Sequence, residues 1–350
     1  MKHRSIKALE IASLVAGIAL FAYLIKQTGL DVLGDYIAKL GWGFAFVVAL
    51  SGVRNLLRAA SWFYSIEPRS RKLSFRQLLN VMLAGEAIKY LTATGPLLAE
   101  PAKAAMVRRQ VPLLEGFSSI VIENLIYDLS VILIMLAGLP ALAWLADVPH
   151  KMKVAGYVFG VAIVLIVLVA WMAIRWRWYL LARMLERVSR LAGRRKRNGE
   201  SKTGRFETLI TKVRSVEANV YSFYERRRGA FILIFAIDMA AHLINVFEVY
   251  AILLMMDQPS SLAAGFVIEA VTKVINMAFF FVPTRAGVYE SGHAMVISAL
   301  GMSASAGVAL AIIRKLRAFV WVGYGIGAIG AMTVRDRRAH QSAAESAASD

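Results

Sequence analysis

The 350-residue chain has no cysteine, which excludes disulfide staples, thiol nucleophiles and Cys-ligated zinc. Proline is scarce, at 8 residues, and three of those prolines interrupt apolar runs at their middles (Pro96, Pro101 and Pro283). Acidic residues are few, 23 against 41 Lys/Arg. Enzyme signatures are missing as well: there is no GxSxG elbow, no HExxH, no Walker loop and no dinucleotide fingerprint. Glu290-x-x-His293 is half of a di-iron pattern, which needs a second Glu-x-x-His and two further glutamates. No metal, cofactor or catalytic residue is expected, and the pattern reads as a transporter rather than an enzyme.

What is abundant is apolar. Hydrophobic residues make up 58% of the chain, more than the roughly half of a soluble domain. The formal charge of +18 does not indicate nucleic acid, because it is concentrated between apolar runs. Residues 175–229 alone carry 16 Lys/Arg against 5 Glu. Basic loops between spans follow the positive-inside rule.

About twenty apolar residues cross a bilayer as a helix. Full-length candidates are 8–26, 42–66, 116–140, 154–174, 229–256 and 303–333. The first follows Lys2, Arg4 and Lys7 without a cleavage pattern, so it reads as a retained helix. Two stretches, 75–107 and 261–300, break at TATGPLLAEP and FVPTRAG, and read as re-entrant hairpins. The break residues are Thr94, Pro96, Pro283, Thr284 and Gly287. With a cytoplasmic N-terminus, the clearly basic segments (69–76, 108–109, 175–229 and 335–338) all fall inside, and both termini are cytoplasmic. The fold class is therefore an all-α polytopic membrane protein with about six spans and two hairpins.

Three spans with one hairpin occur twice, the second copy upside down. Residues 1–140 form the first repeat. Residues 141–338 form the second, with its basic cytoplasmic loop of amphipathic surface helices at 175–229, and 339–350 is a disordered tail. A shift of 190 places Asn55 on Asn245, Arg58 on Glu248, Glu100 on Glu290 and Lys103 on His293. Intramembrane charges recur: Arg54 and Arg58, Glu123 and Asp128, Asp238, His242 and Glu248, Arg314, Lys315 and Arg317. The hairpins add Glu86, Lys89, Glu100, Lys103, Glu269, Lys273, Arg285, Glu290 and His293. Each costs roughly 3 kcal/mol at the bilayer centre unless paired or facing a hydrated cavity. They are read either as ion pairs that fix packing or as the lining of a polar site.

The second arms start near the midplane with Thr94 and Thr284 as caps, so their N-termini can face an anion. With Arg54, Arg58, Arg285, Arg314 and Arg317 they suit a phosphate-bearing head group. Glu100 and Glu290 would orient the arginines, bind a cationic part of the head group or carry protons. Asp238 and His242 are four apart on one helix face and form either a polar pair or a proton relay.

The run FVPTRAGVYESGHAMVISALGM, then AIIRKLRAFVWVGYG, resembles the second characteristic region of the lysylphosphatidylglycerol synthase/flippase transmembrane family. The matching positions are Pro283, Gly287, Val288, Glu290, Leu300, Gly301 and Arg314. Pro96, Glu100, Lys103, Glu123 and Asp128 match the first region more loosely. Thr284-Arg285-Ala286 replace the family's glycines, and Ala99 stands where a glycine precedes Glu100. The resemblance implies a bacterial inner (cytoplasmic) membrane protein that moves a lipid. Its substrate would be an anionic or zwitterionic phospholipid, a hopanoid or a polyprenyl-linked head group. It is not expected to have synthase activity, since nothing after residue 338 fits an aminoacyl-transferase domain. The substrate-binding candidates are Arg54, Arg58, Glu100, Lys103, Glu123, Asp128, Arg285, Glu290, His293, Arg314 and Arg317. Expected partners are the lipid substrate and anionic lipids at the 175–229 loop. Nucleic acid is not one, and a homo-oligomer is compatible with the pattern. Rival classes are an intramembrane enzyme acting on a polyprenyl phosphate or phospholipid, and a scaffold for lipid synthesis.

Overall fold

A computed structural model describes residues 26, 30–91, 95–146, 150–175, 179, 183–187, 200–279 and 287–349. Most of the expected first span (8–26) and Thr94, Pro283, Thr284 and Arg285 lie outside the described residues. Among the described residues the chain is helical and contains no strand. In chain order the helices are α1 (Leu30–Leu40), α2 (Gly43–Ser65), α3 (Phe75–Leu91), α4 (Pro96–Val107), α5 (Leu113–Leu145) and α6 (His150–Arg175). They continue with α7 (Glu200–Arg226), α8 (Arg228–Met255), α9 (Leu262–Ala278), α10 (Val288–Ala299) and α11 (Ala304–Ser349).

Local chemistry sets the boundaries. Ser74 and Gln77 cap α3 reciprocally, Ser74 N–H donating to Gln77 Oε1 (2.9 Å) and Gln77 N–H to Ser74 Oγ (3.3 Å). Ser261 Oγ accepts from Ala264 N–H at the start of α9. The second arms of both expected hairpins differ from this and from the threonine caps read in the sequence. Their N-cap residues are Gly95 (φ +39°) and Gly287 (φ +77°), left-handed positions that favour glycine over threonine. The 339–350 segment also departs from expectation. The structure continues α11 to Ser349 where disorder is expected, and the alanine-rich run AHQSAAESAAS accounts for the helix by intrinsic propensity.

Three helices are long and apolar enough to cross a membrane: α2, α5 and α8. Their outer faces carry exposed Phe46, Val53, Leu133, Leu243 and Leu254, residues that a water-soluble fold would bury. Arg314, Lys315 and Arg317 interrupt the apolar stretch of α11. Helix α7 falls in the basic 175–229 region and turns Phe223 inward against Ile122, Ile126 and Ile234. It is amphipathic as expected.

Helix ends repeat along the chain. Ser65 and Met255, which close α2 and α8, are 190 residues apart, while α3 and α9, α4 and α10, and α5 and α11 start 187, 192 and 191 apart. Packing follows the same exchange. Helices α2 and α8 pair at the centre, α3 lies on α11 as α9 lies on α5, and α4 and α10 each pack on the helices either side of them. The crossings between the halves are close because glycine sits in them. A methyl at Gly325 would lie 2.3 Å from the Leu83 carbonyl oxygen, and one at Gly138 would lie 2.1 Å from Ala270 Cβ. Gly325→Val and Gly138→Val should each destabilise by about 1–3 kcal/mol, read as a lower thermal midpoint in detergent. Gly327→Val, where nothing lies within 4 Å, should not.

Candidate functional site

Charged side chains gather where the two sets of helices meet. On α2, Arg58 reaches Glu123 of α5 (Nη2–Oε1 2.7 Å) and Asp238 of α8 (Nη1–Oδ1 3.4 Å). Ser61 Oγ donates to the same Asp238 oxygen at 2.7 Å. The Arg58 guanidinium lies 3.6 Å from the centroid of the Tyr127 ring, within cation–π range. His242, one turn beyond Asp238, places Nε2 2.9 Å from Ser130 Oγ.

A second, longer string runs through α8, α9, α10 and α11. Glu248 is clasped by Arg317 and approached by Arg314 Nε at 3.5 Å. The other end of Arg314 donates through Nη2 to Glu269 (2.8 Å), which also holds Lys273 at 2.8 Å. Glu290 pairs with Lys315 and accepts the Gly287 N–H at 2.8 Å. Glu248, Glu269 and Glu290 are fully buried. Spacing on α11 makes the string possible: Arg314 and Arg317, three apart, present one face to Glu248. In α4, Lys103 Nζ pairs with Glu100 at 2.5 Å, one turn away.

Positions 58 and 248, which a shift of 190 superposes, are both ion-pair hubs, of opposite sign. Arg58 binds acids on α5 and α8, and Glu248 binds bases on α11.

Most of the residues expected to bind substrate are therefore tied to one another. Arg58, Arg314 and Arg317 have internal carboxylates, and Glu123, Glu100, Lys103 and Glu290 have internal bases. Glu290 also caps its own helix, so the α10 N-terminus already holds a carboxylate. His293 is packed between Thr272 Oγ1 (3.2 Å) and the Tyr289 carbonyl (2.7 Å). Asp128 does not join the set. It is exposed on α5 and has no ion pair among the described residues. Arg54 differs from the other arginines. It is half-buried and donates to Asn55 Oδ1 (2.9 Å), with no carboxylate within ion-pair distance among the described residues.

Sequence reasoning named Asp238, Glu248, Glu269, Lys273 and Lys315 as intramembrane charges but left them out of the binding set. The signal was their position in apolar helices. What was not readable was which base each acid would meet. Among the described residues no group of three or more His, Asp or Glu could hold a metal ion.

Spanning apolar helices around a buried, internally compensated polar core define a helical membrane protein. The sequence model for the lysylphosphatidylglycerol synthase TM region matches residues 10–327, and the chain belongs to that family. Comparison with curated proteins and with solved structures gave no match.

Glu248→Gln would strand two buried arginines and should cost about 3–5 kcal/mol of stability, read by thermal unfolding in detergent. Asp257→Asn, which removes the exposed Lys39–Asp257 pair (2.8 Å), should leave the midpoint unchanged within error.

Proposed function

We propose that the chain is a lipid flippase or lipid transporter of the cytoplasmic membrane, without enzymatic activity. It would move the head group of an anionic or zwitterionic lipid while the acyl chains stay in the bilayer. Six spans and two re-entrant hairpins, arranged as two inverted halves, are the architecture of this reading. Family membership supports a lipid-related role. The recurrence of helix ends near 190 residues, and packing partners that exchange between the halves, support the repeat. Helix α4, at 12 residues, is only about 18 Å long, short of the roughly 30 Å hydrocarbon core, as a re-entrant arm requires. Uniformly basic segments on one side support cytoplasmic termini.

The observation that carries the head-group assignment is Arg54. An arginine held in an apolar helix needs an anion, and this one has no carboxylate of its own. A phosphate presents oxygens suited to the planar guanidinium fork. It can then compete for Arg58 and Arg317, since carboxylate and phosphate bind a guanidinium in the same way. Hydrocarbon tails would remain against the outer faces of the helices, so only polar atoms need a path.

Native mass spectrometry of gently purified protein tests this. The wild type should retain one anionic or zwitterionic lipid class through delipidation, and Arg54→Ala should lose it at least tenfold while keeping its fold. Equal retention by both proteins would instead make Arg54 a packing residue. Turnover of the retained lipid by purified protein would favour an intramembrane enzyme.

A further inference from the structure

Helix α8 carries a second polar feature that lipid binding does not use. Asp238, His242 and Asn245 are spaced four and three apart, so they lie on one face over two turns. Asp238 and His242 are fully buried and Asn245 nearly so. Each has one polar atom with no hydrogen-bond partner among the described residues: Asp238 Oδ2, His242 Nδ1 and Asn245 Oδ1. Buried polar atoms are nearly always partnered, so three orphans on one helix face call for a ligand.

The hydrogen-bond inventory shows what is missing. Ser130 has a single hydroxyl proton, and it donates that proton to the Tyr127 carbonyl at 2.6 Å. Towards His242 the Ser130 oxygen is therefore an acceptor, and Nε2 must carry the imidazole hydrogen at 2.9 Å. In the neutral ring Nδ1 is then a bare lone pair. Asp238 has used Oδ1 for Ser61 and Arg58, and its Oδ2 is also an acceptor. An imidazole lone pair and a carboxylate oxygen on adjacent turns, neither with a donor, lack one hydrogen between them.

We propose that Asp238 and His242 form a proton-binding site. One proton from the aqueous phase adds to the Nδ1 lone pair, turning neutral imidazole into imidazolium. The new N–H donates towards Asp238 Oδ2, directly or through one water. No other bond changes, and the pair gains a single positive charge. Arg58 provides the approach: its side chain keeps a fifth of its exposure while holding Asp238 from the other side.

The surroundings decide whether the proton is tolerated. From α2, Arg58 and Arg54 oppose it, and from α9 Lys273 opposes it while Glu269 favours it. On α5, Glu123 is spent on Arg58, Tyr127 stacks 5.2 Å from the His242 ring, and Asp128 is exposed. Glu248, further along α8, is spent on Arg314 and Arg317 of α11. The buried Glu217 of α7 is the acid on that side, and Lys39 of α1 is held by Asp257 at the far end of α8. Asp238 is thus the acid that makes protonation of His242 affordable. Protonation also draws Asp238 away from Arg58. On the transport reading above, and only on it, this frees part of Arg58 for an anionic head group and so couples proton to lipid.

The test needs no lipid. The chain has five histidines, so ¹⁵N-histidine labelling with His242→Gln for assignment resolves His242 by NMR. Between about pH 5 and 9, wild-type His242 should pass from the Nε2–H tautomer to imidazolium. Asp238→Asn should weaken proton binding at least tenfold, a shift of one pH unit or more. Ser130→Ala, which removes the Nε2 acceptor, should populate the Nδ1–H tautomer, and it serves if Asp238→Asn does not fold. A His242 that keeps Nδ1–H at every pH, or titrates identically without Asp238, overturns the proposal. Either result leaves the lipid reading standing, since that rests on Arg54.

Discussion

A charge inside a membrane must find its opposite there, and most of this structure follows from that constraint. Glu248, Glu269 and Glu290 come from three different helices and are fully buried, and the bases that compensate them sit on α11 and α9. Each pair holds only while its two helices keep register. Removing one partner from such a pair costs about 3–5 kcal/mol, several times the worth of an exposed pair. Close helix contact is the condition for these distances, and glycines at 138 and 325 provide it. The ionic string and the tight crossings are two aspects of one packing solution.

The two halves solve the problem with opposite signs. Arg58 on α2 gathers acids, and Glu248 at the corresponding place on α8 gathers bases. The backbone plan repeats while the electrostatics invert. A ligand entering between the halves would meet an arginine-centred cluster on one side and a glutamate-centred one on the other. This suits a head group carrying both charges as well as an anionic one. It also means that the halves are not interchangeable, whatever motion relates them.

Paired arginines are not thereby removed from function. A guanidinium exchanges carboxylate for phosphate with little change of geometry, so internal acids can act as stand-ins that substrate displaces. Arg54 marks where such an exchange can begin without breaking a pair. Asp238 and His242 mark where the internal compensation is one hydrogen short. Together they separate the charges that hold the helices from those left to do something else.

Much of this was legible in the sequence. Apolar runs of spanning length, basic segments between them, breaks at Pro96 and Gly287 and the family resemblance all read directly from residue order, because helix length, loop charge and chain breaks are local properties. The repeat near 190 residues was visible for the same reason. Which charges belong together was not. Arg58 meets Glu123 and Asp238 across 65 and 180 residues, and Arg314 reaches Glu269 across 45. Spacing alone placed Asp128 with the binding residues, although its helix turns it outward. The caps were misread at Thr94 and Thr284, since backbone angle rather than side-chain chemistry selects glycine there. The sequence by itself determined that charges would be buried and that they would need partners, because a low-dielectric interior allows nothing else. The tertiary structure decided the partners, because contact across helices depends on their rotation and crossing, which no local pattern encodes.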